Sequence, residues 1–335
     1  MLCALGKLLC LLSPPVLVTA SHLMSDLTFA CLVALGLHVA TRAMDEGGGR
    51  RAGGAGLLLG LATVTRPVGK LLPVILVAAW WVASRSRKQR GGRRFDSKVA
   101  TVFLIASMAL PLCWSARNWQ RSGRFTLAPL FGANLAVHRQ ERIATMARGG
   151  VGFGGPEENR YARLVAEQDN ALSALETVKA ELGLDDFAGD ALAARVGVQA
   201  VRRDPLAYAR DVVFHMFNLA MAPADAQTVG RVLFGWDRAI DTPLMTAIHE
   251  RVWTALAFQG VVRLAGLITF LLLPLAVCLQ TWRQGQWRLA DGCYLATLLY
   301  FIVLTALLIS TYGRFLLPVL PGVAHFLSKT SRDAS

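Results

Sequence analysis

The sequence predicts an all-α, polytopic integral membrane protein with about eight transmembrane helices, taking roughly 20 apolar residues per span, and one long helical segment outside the membrane. Three observations predict it. Of the 335 residues only 17% are charged and 54% are hydrophobic, whereas a soluble domain carries about a quarter charged residues. The net charge is +13, yet Arg117 to Arg251 holds as many acidic as basic residues, so the whole excess lies elsewhere. That excess sits mostly in short loops between apolar runs, which is the positive-inside pattern of a membrane protein and not a nucleic-acid-binding face.

Taken in order, Met1 to Ala20 is apolar but contains Lys7 and a Pro14-Pro15 break. It reads as a span rather than a signal peptide, because the double proline falls inside its apolar stretch and another span follows almost at once. A polar interruption, Ser21 to Asp26, precedes a second apolar run from Leu27 to Ala40. Arg42 to Arg51 is a short loop containing Arg42, Arg50 and Arg51. The stretch Gly56 to Pro73, GLLLGLATVTRPVGKLLP, then joins two apolar arms, about Gly53 to Thr65 and Pro67 to Ala83. Proline cannot continue the first arm as a helix, and it drives the residue before it toward extended geometry. The expectation is a tight membrane hairpin with Arg66 at its tip. Its first arm is short of a full span. The densest basic loop, Ser84 to Lys98, comes next. Both loops flanking the hairpin are basic, so both face the cytoplasm and Arg66 lies near the opposite face. Val99 to Cys113 crosses back outward and ends at Trp114, an interfacial anchor.

Three regions follow from this: residues 1–116 of N-terminal membrane helices, 117–257 as the extracytoplasmic segment, and 258–335 of C-terminal membrane helices. In the middle region, Gly149 to Gly155 (GGVGFGG) reads as a flexible loop, without the GK[ST] ending of a phosphate-binding loop. Asn159 to Leu182 reads as a helix stopped by Gly183, and Asp186 to Arg203 as another. Asp204-Pro205 supplies an N-cap and a first-turn proline for Leu206 to Met221. That amphipathic run, like Thr246 to Phe258, is expected on the membrane surface. Val261 to Leu279 is a span, TWRQGQWR a cytoplasmic loop, and Leu289 to Ile309 returns outward. Tyr312-Gly313-Arg314 is an outer turn before Phe315 to Leu327 goes back in, leaving both termini cytoplasmic.

Polar residues collect on the outer face at the ends of these runs: His22, Ser25 and Asp26; Arg66 and Lys70; Arg117 and Asn118; Tyr312 and Arg314. An acid among several cations at one depth suits a lipid-linked phosphate, because arginine grips phosphate oxygens in a bidentate manner and an acid can orient an acceptor. The other reading is that each residue anchors its helix at the interface, with Arg66 snorkelling to headgroups. The six cysteines form no CxxC pair, which indicates neither a disulfide framework nor a zinc site. The histidines show no ligand spacing, and a divalent metal is left open. There is no GxSxG or HExxH motif, so hydrolase chemistry has no support. Within the spans Lys7, His38 and Arg263 are the ionisable residues noted, which counts against a pump.

The runs LLSPPVLVTASHLMSDLTFACLVAL, GLLLGLATVTRPVGKLLP, PLCWSARNWQRSGRFTLAPLFGANLAVHR and TYGRFLLPVLP, in that order, resemble bacterial membrane glycosyltransferases of the GT-C class. The branch resembled is the one related to dolichyl-phosphate-mannose protein mannosyltransferases and aminoarabinose transferases. The resemblance implies a GT-C-like fold in the bacterial inner membrane. It also implies inverting transfer of a sugar from a polyprenyl-phosphate donor to a lipid, glycan or protein acceptor at the cell envelope. Asp26 matches an acid of the active-site cavity, here an auxiliary one, and Arg66 and Arg117 match cations near the donor phosphate. Arg314 matches an arginine before the last proline-containing span, and a phosphate role is extended to it. The family's principal catalytic acid precedes any segment matching this chain, so the expectation is an N-terminally incomplete enzyme. The alternative is a non-catalytic scaffold in envelope polysaccharide assembly, with no polar cavity. On the transferase reading, Asp26, Arg66 and Arg117 line one cavity.

Overall fold

The computed structural model describes residues 25–87, 95–221 and 289–308, with isolated positions between 264 and 280. Every regular element among them is a helix. The expected spans over Met1 to Ala20, Val261 to Leu279 and Phe315 to Leu327, and the amphipathic run from Thr246, lie outside or almost wholly outside the described residues. Two described helical segments, Pro67–Arg85 and Ser97–Ser122, are long and apolar enough to cross a membrane. The chain divides into two compact units.

The first unit holds the described residues up to Pro111 and most of the last described helix. Helix α1 (Ser25–Glu46) turns through Gly47 and Gly48 into α2 (Gly49–Thr65). Both glycines take positive φ, 76° and 129°, which other residues reach only with strain. The ion pair of Arg51 with Glu46 spans this turn. α1 and α2 pack along each other closely, with Gly36 admitting Leu59. After Arg66, a short 3-10 turn (Pro67–Gly69) leads into α3 (Leu72–Arg87). The intimate helix pair is therefore α1 with α2, while the two arms around Arg66-Pro67 make few close approaches. That corrects the expected tight hairpin.

Helix α4 (Ser97–Ser122) is capped by the Asp96 carboxylate, which accepts from the Lys98 amide at 3.0 Å. It crosses α2 at Gly56 and Gly60. A Cβ on Gly56 would stand 2.4 Å from the Phe103 carbonyl oxygen, and one on Gly60 would stand 2.8 Å from that of Ser107. Two glycines one turn apart thus let two backbones approach as only small residues allow. α4 runs 26 residues and passes through Pro111 without ending. Trp114, Arg117 and Asn118 therefore stand on helix, beyond the expected end at Cys113. The end of α4 from Leu112 and the chain that follows it to Met216 form the second unit, which also takes the end of helix α11 (Leu289–Leu308).

In the second unit, α5 (Phe131–His138), α6 (Gln140–Arg148), α7 (Pro156–Gln168), α8 (Ala171–Leu182), α9 (Asp186–Arg203) and α10 (Pro205–Met221) surround a core that includes Ile143, Phe153, Tyr161, Val165, Val178, Leu192 and Val196. The expected single helix from Asn159 to Leu182 is two. Asp169 adopts a left-handed conformation (φ 47°), and the Asn170 side chain caps α8 by accepting from the amides of Leu172 and Ser173. Gly183 ends α8 in the left-handed conformation, and Asp204 caps α10 by accepting from the Ala207 amide, both as the sequence indicates. α5 meets α9 at Gly132, where a Cβ would stand 1.8 Å from the Asp190 carbonyl oxygen. The glycine loop is ordered rather than free: Phe153 is fully buried, its amide donates to Asn159 Oδ1, and Arg203 donates to the Gly152 carbonyl.

Candidate functional site

Arg66 owes its place to the proline that follows it. Its backbone is extended (φ −143°, ψ 115°), as the residue before a proline must be. Its amide still donates to the Ala62 carbonyl at 2.8 Å, closing α2, and its own carbonyl accepts from Gly69. The Lys70 amide donates to the Pro67 carbonyl, completing a turn closed by its own hydrogen bonds.

Two further elements clamp that turn. The Tyr300 hydroxyl, on α11, donates to the Val68 carbonyl and accepts from the Leu71 amide at 3.3 Å. Phe29, on α1, packs against Gly69, where a Cβ would lie 3.1 Å from the ring. Phe29 meets Phe301 edge to face with centroids 5.8 Å apart, so α1 and α11 hold one another as well as the turn. Arg66 is half-buried and Lys70 is exposed. Asp26 lies three residues before Phe29, which is less than one helical turn, about 4.5 Å along the axis. The start of α1, with Ser25 and Asp26, and the Arg66–Lys70 turn therefore occupy the same end of the first unit. The arrangement presents two cations on a rigid backbone, so an anion bound there orders little that is not already ordered.

The other expected site residues fall differently. Arg117 belongs to the second unit, is exposed, and stacks over the Trp114 ring at 4.6 Å. Asn118 is buried. Its amide nitrogen donates to the carbonyls of Thr126 (2.8 Å) and Leu127 (3.0 Å), which ties the chain leaving α4 back onto the helix. Both amide hydrogens are spent there, which gives Asn118 a structural task. His22, Tyr312 and Arg314 lie outside the described residues. Among the described residues no cluster of three or more His, Cys, Asp or Glu is placed to hold a metal.

Several residues were not singled out by sequence reasoning. Tyr300 and Phe29 are hydrophobic-looking members of apolar runs. Asp291, in the first turn of α11, is fully buried; its signal was an acid at the head of the run LADGCYLATLLY. In the second unit Arg139 is 5% exposed, pairs with Asp211 at 2.9 Å and lies over the Tyr208 ring at 4.9 Å. Burial pushes the Tyr208 hydroxyl above its ordinary pKa, opposed by the nearby Arg139 charge. Arg142 pairs with Asp204 at 2.6 Å, and together these contacts tie α10 to α5 and α6. Comparison with protein-family models, with curated proteins and with solved structures finds no match to this chain.

Proposed function

We propose that this chain is a multi-pass protein of the bacterial inner membrane that binds a polyprenyl-phosphate-linked sugar at the Arg66–Lys70 turn and serves its transfer to an acceptor on the outer face. The observation that carries the reading is the turn itself, two cations on a backbone fixed by Tyr300 and Phe29 at the same end as Asp26. Cations held there favour the charge that builds on a phosphate leaving group as a glycosidic bond breaks. Asp26, at the start of α1, is the group assigned to orient the acceptor or relay its proton.

Membrane embedding is supported by the two long apolar segments and by the apolar side chains they leave exposed, among them Val74, Val82, Val102 and Ile105. Each segment carries a tryptophan–arginine stack in its C-terminal half, Trp81 with Arg85 at 3.6 Å and Trp114 with Arg117 at 4.6 Å. From Ser97 to Trp114 α4 rises about 26 Å, against a hydrocarbon core of about 30 Å. Buried hydroxyls of Thr63, Ser84, Ser107 and Thr297 donate to carbonyls of their own helices, which satisfies these four donors in an apolar medium.

The test is binding of undecaprenyl phosphate, with undecaprenol as control, to the full chain in lipid nanodiscs. The phosphate is expected to bind more tightly than the alcohol. Arg66→Gln is expected to weaken it about tenfold or more, as loss of a charge-assisted hydrogen bond of about 1.5–3 kcal/mol implies. Tyr300→Phe, which loosens the turn without touching ligand, is expected to weaken it less. Equal binding of phosphate and alcohol, unchanged in Arg66→Gln, would favour the scaffold reading instead.

A further inference from the structure

The second unit contains a cavity of about 300 Å³ between the end of α6, the glycine loop and one face of α7. Its size is at the lower end of small-molecule sites, which suits one small ligand. The loop that walls it is preformed. Gly150 and Gly154 take φ values of 73° and 91°, and the Val151 amide donates to the Met146 carbonyl at 2.9 Å. The Phe153 amide is held by Asn159, and the Gly152 carbonyl by Arg203. A ligand entering here meets a fixed wall and does not have to order one.

The polar groups lining the cavity are unevenly satisfied. Arg163 uses Nε to donate to the Asn159 carbonyl at 3.3 Å, and its two terminal nitrogens make no hydrogen bond or ion pair among the described residues. Arg139, Arg142, Arg160 and Arg195 of this unit each pair with a carboxylate, whereas Arg124, Arg148 and Arg203 donate to backbone carbonyls. Asn159 spends its oxygen on the Phe153 amide, which leaves its amide nitrogen to donate. The carboxylates nearest in sequence do not neutralise Arg163. Glu157 and Glu158 are engaged with Arg195, and Glu167, one turn along α7, makes no ion pair with Arg163. The apolar surface open to the cavity is that of exposed Val151 and half-buried Ala147.

We infer that this cavity binds a small organic anion. Its carboxylate or phosphate is gripped by the terminal nitrogens of Arg163 and the Asn159 amide, and its carbon frame lies against Val151 and Ala147. A bare inorganic ion would leave the apolar wall unused. The inference does not rest on the reading of the Arg66 turn, which belongs to the other unit.

The experiment is calorimetric titration of the full chain in detergent with glucuronate, glucose 6-phosphate and glucose. Saturable binding of at least one of the two anions is expected, with none of neutral glucose. The tighter of the two identifies the anionic group as carboxylate or phosphate. Arg163→Gln, an exposed position that the fold tolerates, is expected to weaken binding about tenfold or more. Gly152→Val is expected to weaken it by filling the cavity, with the thermal midpoint kept. Gly152 has no positive φ, and the nearest atom to an added Cβ is 3.6 Å away. Binding of glucose equal to that of the anions, anion affinity unchanged in Arg163→Gln, or no saturation by either anion up to about 10 mM (a free energy near −3 kcal/mol) would each overturn the inference.

Discussion

Single side chains decide how rigid each part of this molecule is, and Asp190 shows it most simply. Its carboxylate accepts from the Ala133 amide at 2.9 Å and so caps the start of α5, in a half-buried position at the α5–α9 crossing. Burial raises its pKa above the ordinary 3.8, although the amides of Ala133 and Gly132 and the charge of Arg124 oppose the rise. A carboxyl with a higher pKa in the folded chain holds its proton more tightly there than when unfolded. The stability this gives is complete below the unfolded value and is lost as pH rises through the folded pKa. Asp190→Asn keeps an oxygen acceptor for Ala133 and removes the ionisation. The variant is expected to lose the part of the pH dependence of unfolding that lies just above pH 3.8, as read by denaturant unfolding across the acid range. An unchanged pH profile would remove Asp190 as its source. Arg66 was legible from sequence because the following proline dictates its backbone. Tyr300 was not, since its hydroxyl reaches residues 229 and 232 positions away, a distance that local pattern does not encode.

At the scale of elements, glycine placement carries the packing. Gly56 and Gly60 fall on the face of α2 that meets α4, while Gly54 has open space around it. Gly56→Val must therefore drive α2 off the Phe103 carbonyl, and overpacking of this kind costs about 1–3 kcal/mol or more. Gly54→Ala, by contrast, gains about 0.5–1 kcal/mol of helix propensity. Thermal unfolding in detergent is expected to show a lowered midpoint for the first and an equal or raised one for the second. Equal effects would mean that the crossing does not depend on Gly56. The sequence marks helix ends where a cap is chemical: Gly183 and Asp204-Pro205 act as their residue types suggest. It missed the break at Asp169-Asn170, although asparagine is as good an N-cap as aspartate, because the apolar spacing runs on through it. It also stopped α4 too early. Beyond Cys113 the helix is stabilised by what the chain does next, when Thr126 and Leu127 return to the Asn118 amide. The order in the glycine loop is equally non-local, since Phe153 joins a core drawn from helices on both sides of it and Arg203 lies over its ring.

For the whole molecule, the apolar runs foretold an all-helical chain, and every regular element among the described residues is a helix. The candidate site was legible only in part. Asp26 and Arg66 come to one end of one unit, as their places at the edges of apolar runs suggested, but the clamp that fixes the turn is tertiary. Binding of a polyprenyl phosphate at this end of the first unit is the proposal on which the functional reading depends. The most direct measurement is photo-cross-linking of the full chain in nanodiscs with a diazirine-bearing polyprenyl phosphate, with adducts mapped by peptide mass spectrometry. Adducts are expected to concentrate on the peptides carrying Arg66 to Leu71 and the start of α1, to be competed by unlabelled undecaprenyl phosphate and to be reduced in Arg66→Gln. Adducts spread evenly over the apolar faces of α3 and α4, and indifferent to both competitor and substitution, would contradict the proposal.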